Sequence, residues 1–140
     1  MTLEERKAAI EAKRGARKSD VDSREDEQYV TDLEAVDALE VEHGDRNVAV
    51  LRVNYVEGLP VLVAVRAPRD PEVKRVRARV KSEDKDQAVA AAQELGESCV
   101  IYPARDVLAQ IAKARGNLLI DCGTKALSLV VAKSADEGKG

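Results

Sequence analysis

The chain has 140 residues, with 23 Lys and Arg against 26 Asp and Glu and a formal net charge of −3. That length suits one domain able to bury a core without metals or disulfides, and the charge balance argues against a dedicated polyanion binder such as a nucleic-acid coat. With no Trp, no Phe and only Tyr29, Tyr55 and Tyr102, the core must be aliphatic, and there is little to stack on bases, sugars or flat cofactors.

Residues 1–28 carry 15 charged side chains among few apolar ones. Such a composition cannot bury enough surface to offset its ordering entropy. The segment reads as a charged, mobile N-terminal arm, or as a helix that docks only on a partner, since TLEERKAAIEAKR is rich in helix formers but marginal alone. It holds no apolar signal region, and no stretch of the chain approaches the roughly 20 apolar residues of a membrane span. The chain therefore reads as cytoplasmic, with no membrane partner.

The first stable helix is expected over TDLEAVDALEVEH, residues 31–43. Thr31 and Glu34 have capping-box spacing, Leu33, Val36 and Leu39 form a helical stripe, and Gly44 follows. His43, the only histidine, falls in the last turn, where it suits the helix C-terminus better than ligation or catalysis.

NVAVLRVNYV (47–56) and PVLVAVRA (60–67) are Val-rich and read as a β-hairpin. Ala49, Leu51, Val53 and Tyr55 share a continuously apolar face, whereas Val48, Val50, Arg52 and Asn54 mix polar residues into the other. The expectation is a sheet covered on one side only.

Helical patterns fill the remainder. Asp70 reads as an N-cap with Pro71 at the first helical position, and Val73, Val76 and Val80 form a buried stripe that leaves Lys74, Arg75, Arg77, Arg79 and Lys81 outward. DKDQAVAAAQEL (84–95) follows, with Gly96 beyond its end. After CVIYP (99–103), ARDVLAQIAKAR turns Val107, Leu108 and Ile111 inward and stops at Gly116. Leu119, Cys122, Ala126, Leu129 and Val130 keep helical spacing in 117–134, although Gly123 weakens that helix. The fold class is thus α+β: an N-terminal helix and a β-hairpin followed by a small bundle of about four helices, with residues 29–133 as one globular domain and 134–140 as a disordered tail.

The candidate chemistry is sparse. Cys99 and Cys122 lie outside metal-type spacing and read as two buried, reduced thiols. The run LLIDCGT resembles the phosphate-binding hairpin of actin-like ATPases, but fewer than 20 residues follow it, and a plain helix is the better reading. No nucleophile elbow, P-loop or Cys/His pairing is present. The expectation is no enzyme, with no catalytic residues, no cofactor and no metal site. The cations of 71–81, with Arg66 and Arg69 just before them, fit a solvated face, an acidic protein partner or a nucleic-acid backbone, and the sequence leaves these three open.

Two longer segments carry a family likeness. PVLVAVRAPRDPEVKRVRARV and ELGESCVIYPARDVLAQIAKARGNLLIDCGTKAL are similar to the tail assembly chaperones of long-tailed bacteriophages, over roughly residues 60–132. The distinctive tokens are Ala67-Pro68 with the basic helix after it, and Cys99-Val100-Ile101-Tyr102-Pro103; the opening LEERKAAIEAK also looks like the charged start of some members. The resemblance implies a small non-enzymatic protein of an infected or lysogenic bacterial cell. It would coat the long tape-measure protein before tail-tube subunits polymerise around it. The tail-tube protein is then a second partner, and self-association stays open. On this reading the contacts are assigned to Arg66, Arg69, Lys74, Arg75 and Arg79 on a basic face, and to Leu127 and Val131 as uncovered apolar residues. The alternatives are a small nucleic-acid-binding accessory protein using the basic helix, or a minor structural tail or head-completion protein.

Overall fold

The computed structural model describes residues 1–81 and 83–138, with side chains described as far as Val131 apart from Ser82. Among these residues the chain forms α1 (Leu3–His43), β1 (Val48–Arg52), β2 (Leu62–Arg66), α2 (Asp70–Val80), α3 (Lys85–Cys99), β3 (Val100–Tyr102), α4 (Arg105–Ala114) and α5 (Leu118–Gly138). It is an α+β protein, mostly helical, around one small antiparallel sheet in the order β1-β2-β3.

The first helix differs from expectation. It begins at Leu3 and runs unbroken across the boundary expected near residue 28, to Gly44, whose φ of 91° and N–H bond to the Glu40 carbonyl end it. The reason is local. No proline occurs before Pro60, and the capping box that opens the helix is Thr2 with Glu5, not Thr31 with Glu34. Thr31 lies mid-helix and donates its hydroxyl to the Glu27 carbonyl.

The register Ala49↔Val65 and Leu51↔Val63 confirms the hairpin, which turns at Gly58 (φ 82°). The sheet, however, is covered on both faces. Ala49, Leu51, Val53, Val63 and Val65 pack into the main core with α2 to α5, as the apolar face requires. The opposite face (Val48, Val50, Leu62 and Ala64) is covered by Tyr29 and Val36 of α1, and Tyr55 joins this second cluster rather than the first. Of the polar residues that made this face look solvated, Arg52 lies over the Tyr29 ring, 4.6 Å from its centroid, and Asn54 is exposed beyond β1.

A third strand interrupts the helical half. Val100–Tyr102 pairs with β2 through Ala64↔Tyr102 and Val65↔Val100, with an irregularity between them, and a cis Tyr102–Pro103 peptide follows. Three residues are too few to show a period of two, so the segment gave no strand signal.

The helix expected to end before Gly96 runs on to Cys99, the helix weakened by Gly123 is unbroken, and glycine is why they fit. A Cβ on Gly96 of α3 would lie 2.0 Å from the Leu119 carbonyl oxygen, and one on Gly123 of α5 would lie 2.2 Å from that of Ala92. The two helices cross in backbone contact at this point, which only residues without a side chain permit. Gly96 is therefore an interior residue of α3, not its stop. At the C-terminus, α5 extends to Gly138, into the expected tail, whose last two residues lie outside those described.

A candidate protein-binding groove between two helices

Helix α2 starts as its sequence suggests, shifted by one residue: Arg69 is the N-cap, Asp70 is the first helical residue, and the Arg69 N–H donates to Glu72 Oε1 at 2.8 Å. Val73 and Val76 are buried, but Val80, one turn on, is 54% exposed. The core has ended there. Helix α5 runs alongside with Leu127 and Val130 half-buried and Val131 66% exposed. Between the two helices lies an open groove of ≈ 340 Å³, floored by Val73, Val76, Val80, Leu127, Val130 and Val131 and rimmed by Arg77 and Lys81.

The basic residues singled out from sequence do not form one face. Arg66 is enclosed by acceptors: its guanidinium donates to both Glu72 carboxylate oxygens at 2.9 and 3.1 Å, to the Ser98 carbonyl at 3.1 Å and to the Ala67 carbonyl at 3.2 Å. Bidentate pairing of this kind is a structural clamp. The hydrogen bond from Arg66 holds the Glu72 carboxyl below its ordinary range, and the same bond raises the guanidinium. Arg79 is committed too, to the Glu94 carboxylate and to Gln87 Oε1 at 3.3 Å, and with Arg75 it lines the crevice between α2 and α3. Arg69, Lys74 and Arg75 are exposed, but among the described residues the cations that border the apolar groove are Arg77 and Lys81. Leu127 and Val131 are in the groove. Arg77 and Lys81 belong to the outward cations of 71–81 but were not among the assigned contacts, and Val73, Val76, Val80 and Val130 were expected only as helix-stripe residues. The signal was positional: Arg77 and Lys81 are one helical turn apart beside Val80, but nothing local shows that the core stops before Val80.

The phosphate-like run is not a hairpin. LLIDCGT lies within α5, where Gly123 abuts α3, the Asp121 carboxylate accepts from Arg115 Nη2 at 2.8 Å, and the Thr124 hydroxyl donates to the Ile120 carbonyl. Cys99 and Cys122 are fully buried and unpaired by any disulfide, and burial pushes each thiol up to about 11. His43 closes α1, its carbonyl accepting from Asn47 Nδ2 at 2.8 Å.

The most tightly held polar group was not anticipated. Asp32 is fully buried; its Oδ2 accepts the N–H groups of Val61 at 2.7 Å and Leu62 at 3.3 Å, and its Oδ1 accepts from Gln28 Nε2 at 2.9 Å and from the Tyr102 hydroxyl. Burial, then the bond to Asp32, raises the Tyr102 phenol well above its ordinary value. This carboxylate fastens α1 to the sheet. It is a structural joint, buried and taken up by these four donors.

Compared with known protein families, curated proteins and solved structures, the chain matches none. Among the described residues no cluster of three or more His, Cys, Asp or Glu could hold a metal ion, and no helix is long and apolar enough to cross a membrane.

Proposed function

We propose that this protein is a non-enzymatic assembly chaperone that binds the tape-measure protein of a long-tailed phage and keeps it available for tail-tube assembly. The observation that carries the reading is the α2–α5 groove, an uncovered aliphatic surface with a cationic rim on an otherwise highly charged protein. A holdase needs such a surface to cover apolar stripes of a long helical client, together with enough charge to remain dispersed. A helix laid in a groove is read through apolar anchors at i, i+3, i+4 and i+7, and the rim of Arg77 and Lys81 selects clients with acidic residues flanking those anchors. The sequence likeness over residues 60–132 supports the same reading, since that segment supplies both walls of the groove.

Co-expression with the long helical protein encoded at the same locus tests it. The expected outcome is a stable complex and a gain in client solubility, both lost in the double variant Val80→Asp with Val131→Asp, whose sites are exposed enough to leave the fold intact. No complex and no solubility gain with the native chain would sink the proposal. The same experiment with tail-tube protein decides whether that is a second client. A nucleic-acid role is the weaker alternative, because Arg66 and Arg79 already hold carboxylates. A structural tail component would be found in mature virions, where a chaperone is absent.

A further inference from the structure

Helix α1 is divided electrically. Its first part, residues 1–18, carries six basic and three acidic side chains, whereas residues 19–43 carry ten acidic side chains and one basic one, Arg24. Every residue from Met1 to Arg24 is exposed. Within this overhang, Leu3, Lys7, Ile10, Arg14, Arg17 and Val21 follow helical spacing, so they form one stripe. The stripe runs directly into Glu25, Gln28, Asp32 and Val36, the side of α1 that faces the sheet. The side that packs in the domain therefore continues about 30 Å beyond it with nothing to pack on: Leu3 is 80% exposed and Ile10 52%.

The far half of the same helix offers the complementary surface. Val30 and Leu33 are 53% and 45% exposed and share an open face of α1 with Glu34, Asp37 and Glu40. One surface is apolar and basic, the other apolar and acidic. Because α1 is a single unbroken helix, its overhang cannot fold back onto its own residues 30–40. An acidic face of α1 could meet the overhang only from a second molecule.

We infer that the protein self-associates by seating the basic overhang of one copy, residues 3–21, on the acidic face of α1, residues 30–40, of a second copy. The two contact patches lie on different sides of the helix, so the contact is heterologous, and a chain of copies keeps a free overhang at one end and a free face at the other unless it closes into a ring. Leu3, Ile10 and Val21 supply apolar contact, and Lys7, Arg14 and Arg17 meet Glu34, Asp37 and Glu40. Exposed charge pairs of this kind weaken as salt shortens their reach. The contact leaves the α2–α5 groove open, so it stands whether or not that groove binds a client.

The test is the solution mass of the full chain by light scattering and sedimentation. In low salt the mass should exceed the 15.2 kDa of one chain and fall towards it as salt is raised. Arg14→Glu with Arg17→Glu reverses the overhang; Glu34→Lys with Asp37→Lys reverses the face. All four positions are exposed, and circular dichroism confirms that each variant keeps its helix. Each variant alone should be a monomer, and an equimolar mixture should associate again, because the reversed overhang fits the reversed face. A native chain that stays at 15.2 kDa in low salt at the highest soluble concentration would overturn the inference. So would reversed variants that associate like the native chain, or a mixture that stays monomeric. An assembly that forms only with added DNA or anionic vesicles would overturn it in favour of a polyanionic partner.

Discussion

Asp32 and Tyr102 stand 70 positions apart in the chain and meet in one hydrogen bond, the phenol donating to a carboxylate that also accepts two backbone N–H groups of the sheet. This contact binds three elements of different sequence origin: α1, the start of β2 and the end of β3. Among the described residues no buried side-chain nitrogen or oxygen lacks a hydrogen-bond partner, so the joint is fully satisfied.

Removing the carboxylate should therefore cost more than removing the phenol. Asp32→Ala strands the N–H groups of Val61 and Leu62 together with the Tyr102 hydroxyl, and a loss of about 3–5 kcal/mol is expected from unfilled buried polar groups. Tyr102→Phe removes one donor and leaves the other three bonds intact, and should cost about 1 kcal/mol. Urea unfolding of both variants measures the difference. Equal losses would show that the joint works through packing alone.

The glycine crossing makes an asymmetric prediction. Gly96→Ala or Gly123→Ala drives a methyl group into a carbonyl oxygen, and each should destabilise by at least about 2–3 kcal/mol because the obstacle is backbone that cannot rotate away. Gly15→Ala meets nothing within 4 Å in an exposed helix and should stabilise α1 by about 0.5–1 kcal/mol. Thermal melts of the three variants, with helix content read by circular dichroism, check both signs.

The Arg66–Glu72 clamp predicts that Arg66→Lys is not conservative. An ammonium cannot reproduce two parallel bonds to Glu72 while also reaching the carbonyls of Ala67 and Ser98, and a loss of about 1–3 kcal/mol is expected. The Glu72 carboxyl is depressed in the folded chain, so its contribution is present above the ordinary carboxylate value and is lost as pH falls through the lower folded value. The native chain should lose stability in that acid range, and Glu72→Gln should lose less there. Identical acid profiles would remove Glu72 from the explanation.

On the alkaline side the two buried thiols contribute alongside the raised Tyr102 phenol. Cys99 and Cys122 are raised from an ordinary 9.0 to about 11 by burial, so the folded chain holds their protons more tightly than the unfolded one. Their contribution is complete below pH 9 and is lost progressively as pH rises towards 11. Stability should fall across that window and fall less in Cys99→Ala with Cys122→Ala, compared as slopes. Alkylation at neutral pH should track unfolding, since neither sulfur is exposed. Fast alkylation of the native chain would contradict the burial.

Local chemistry along the chain is legible without the fold. The Val-rich runs across 47–67 place the hairpin, Pro71 and the valines after it place α2 within one residue, and the Leu108–Ile111 spacing places the inward side of α4. The groove was half legible, through Leu127 and Val131. The tertiary structure decided the rest, because the deciding partners are remote. Whether Gly96 stops a helix or lets one cross depends on Gly123, 27 positions later. Asp32 looks like one more surface acid of an acidic helix until the start of β2 presents two N–H groups to it. Arg66 looks like a free cation until Glu72 and the end of α3 enclose it. Periodicity reports which side of an element is apolar; only packing reports what meets it, and a buried polar group is tolerable only where that partner has arrived.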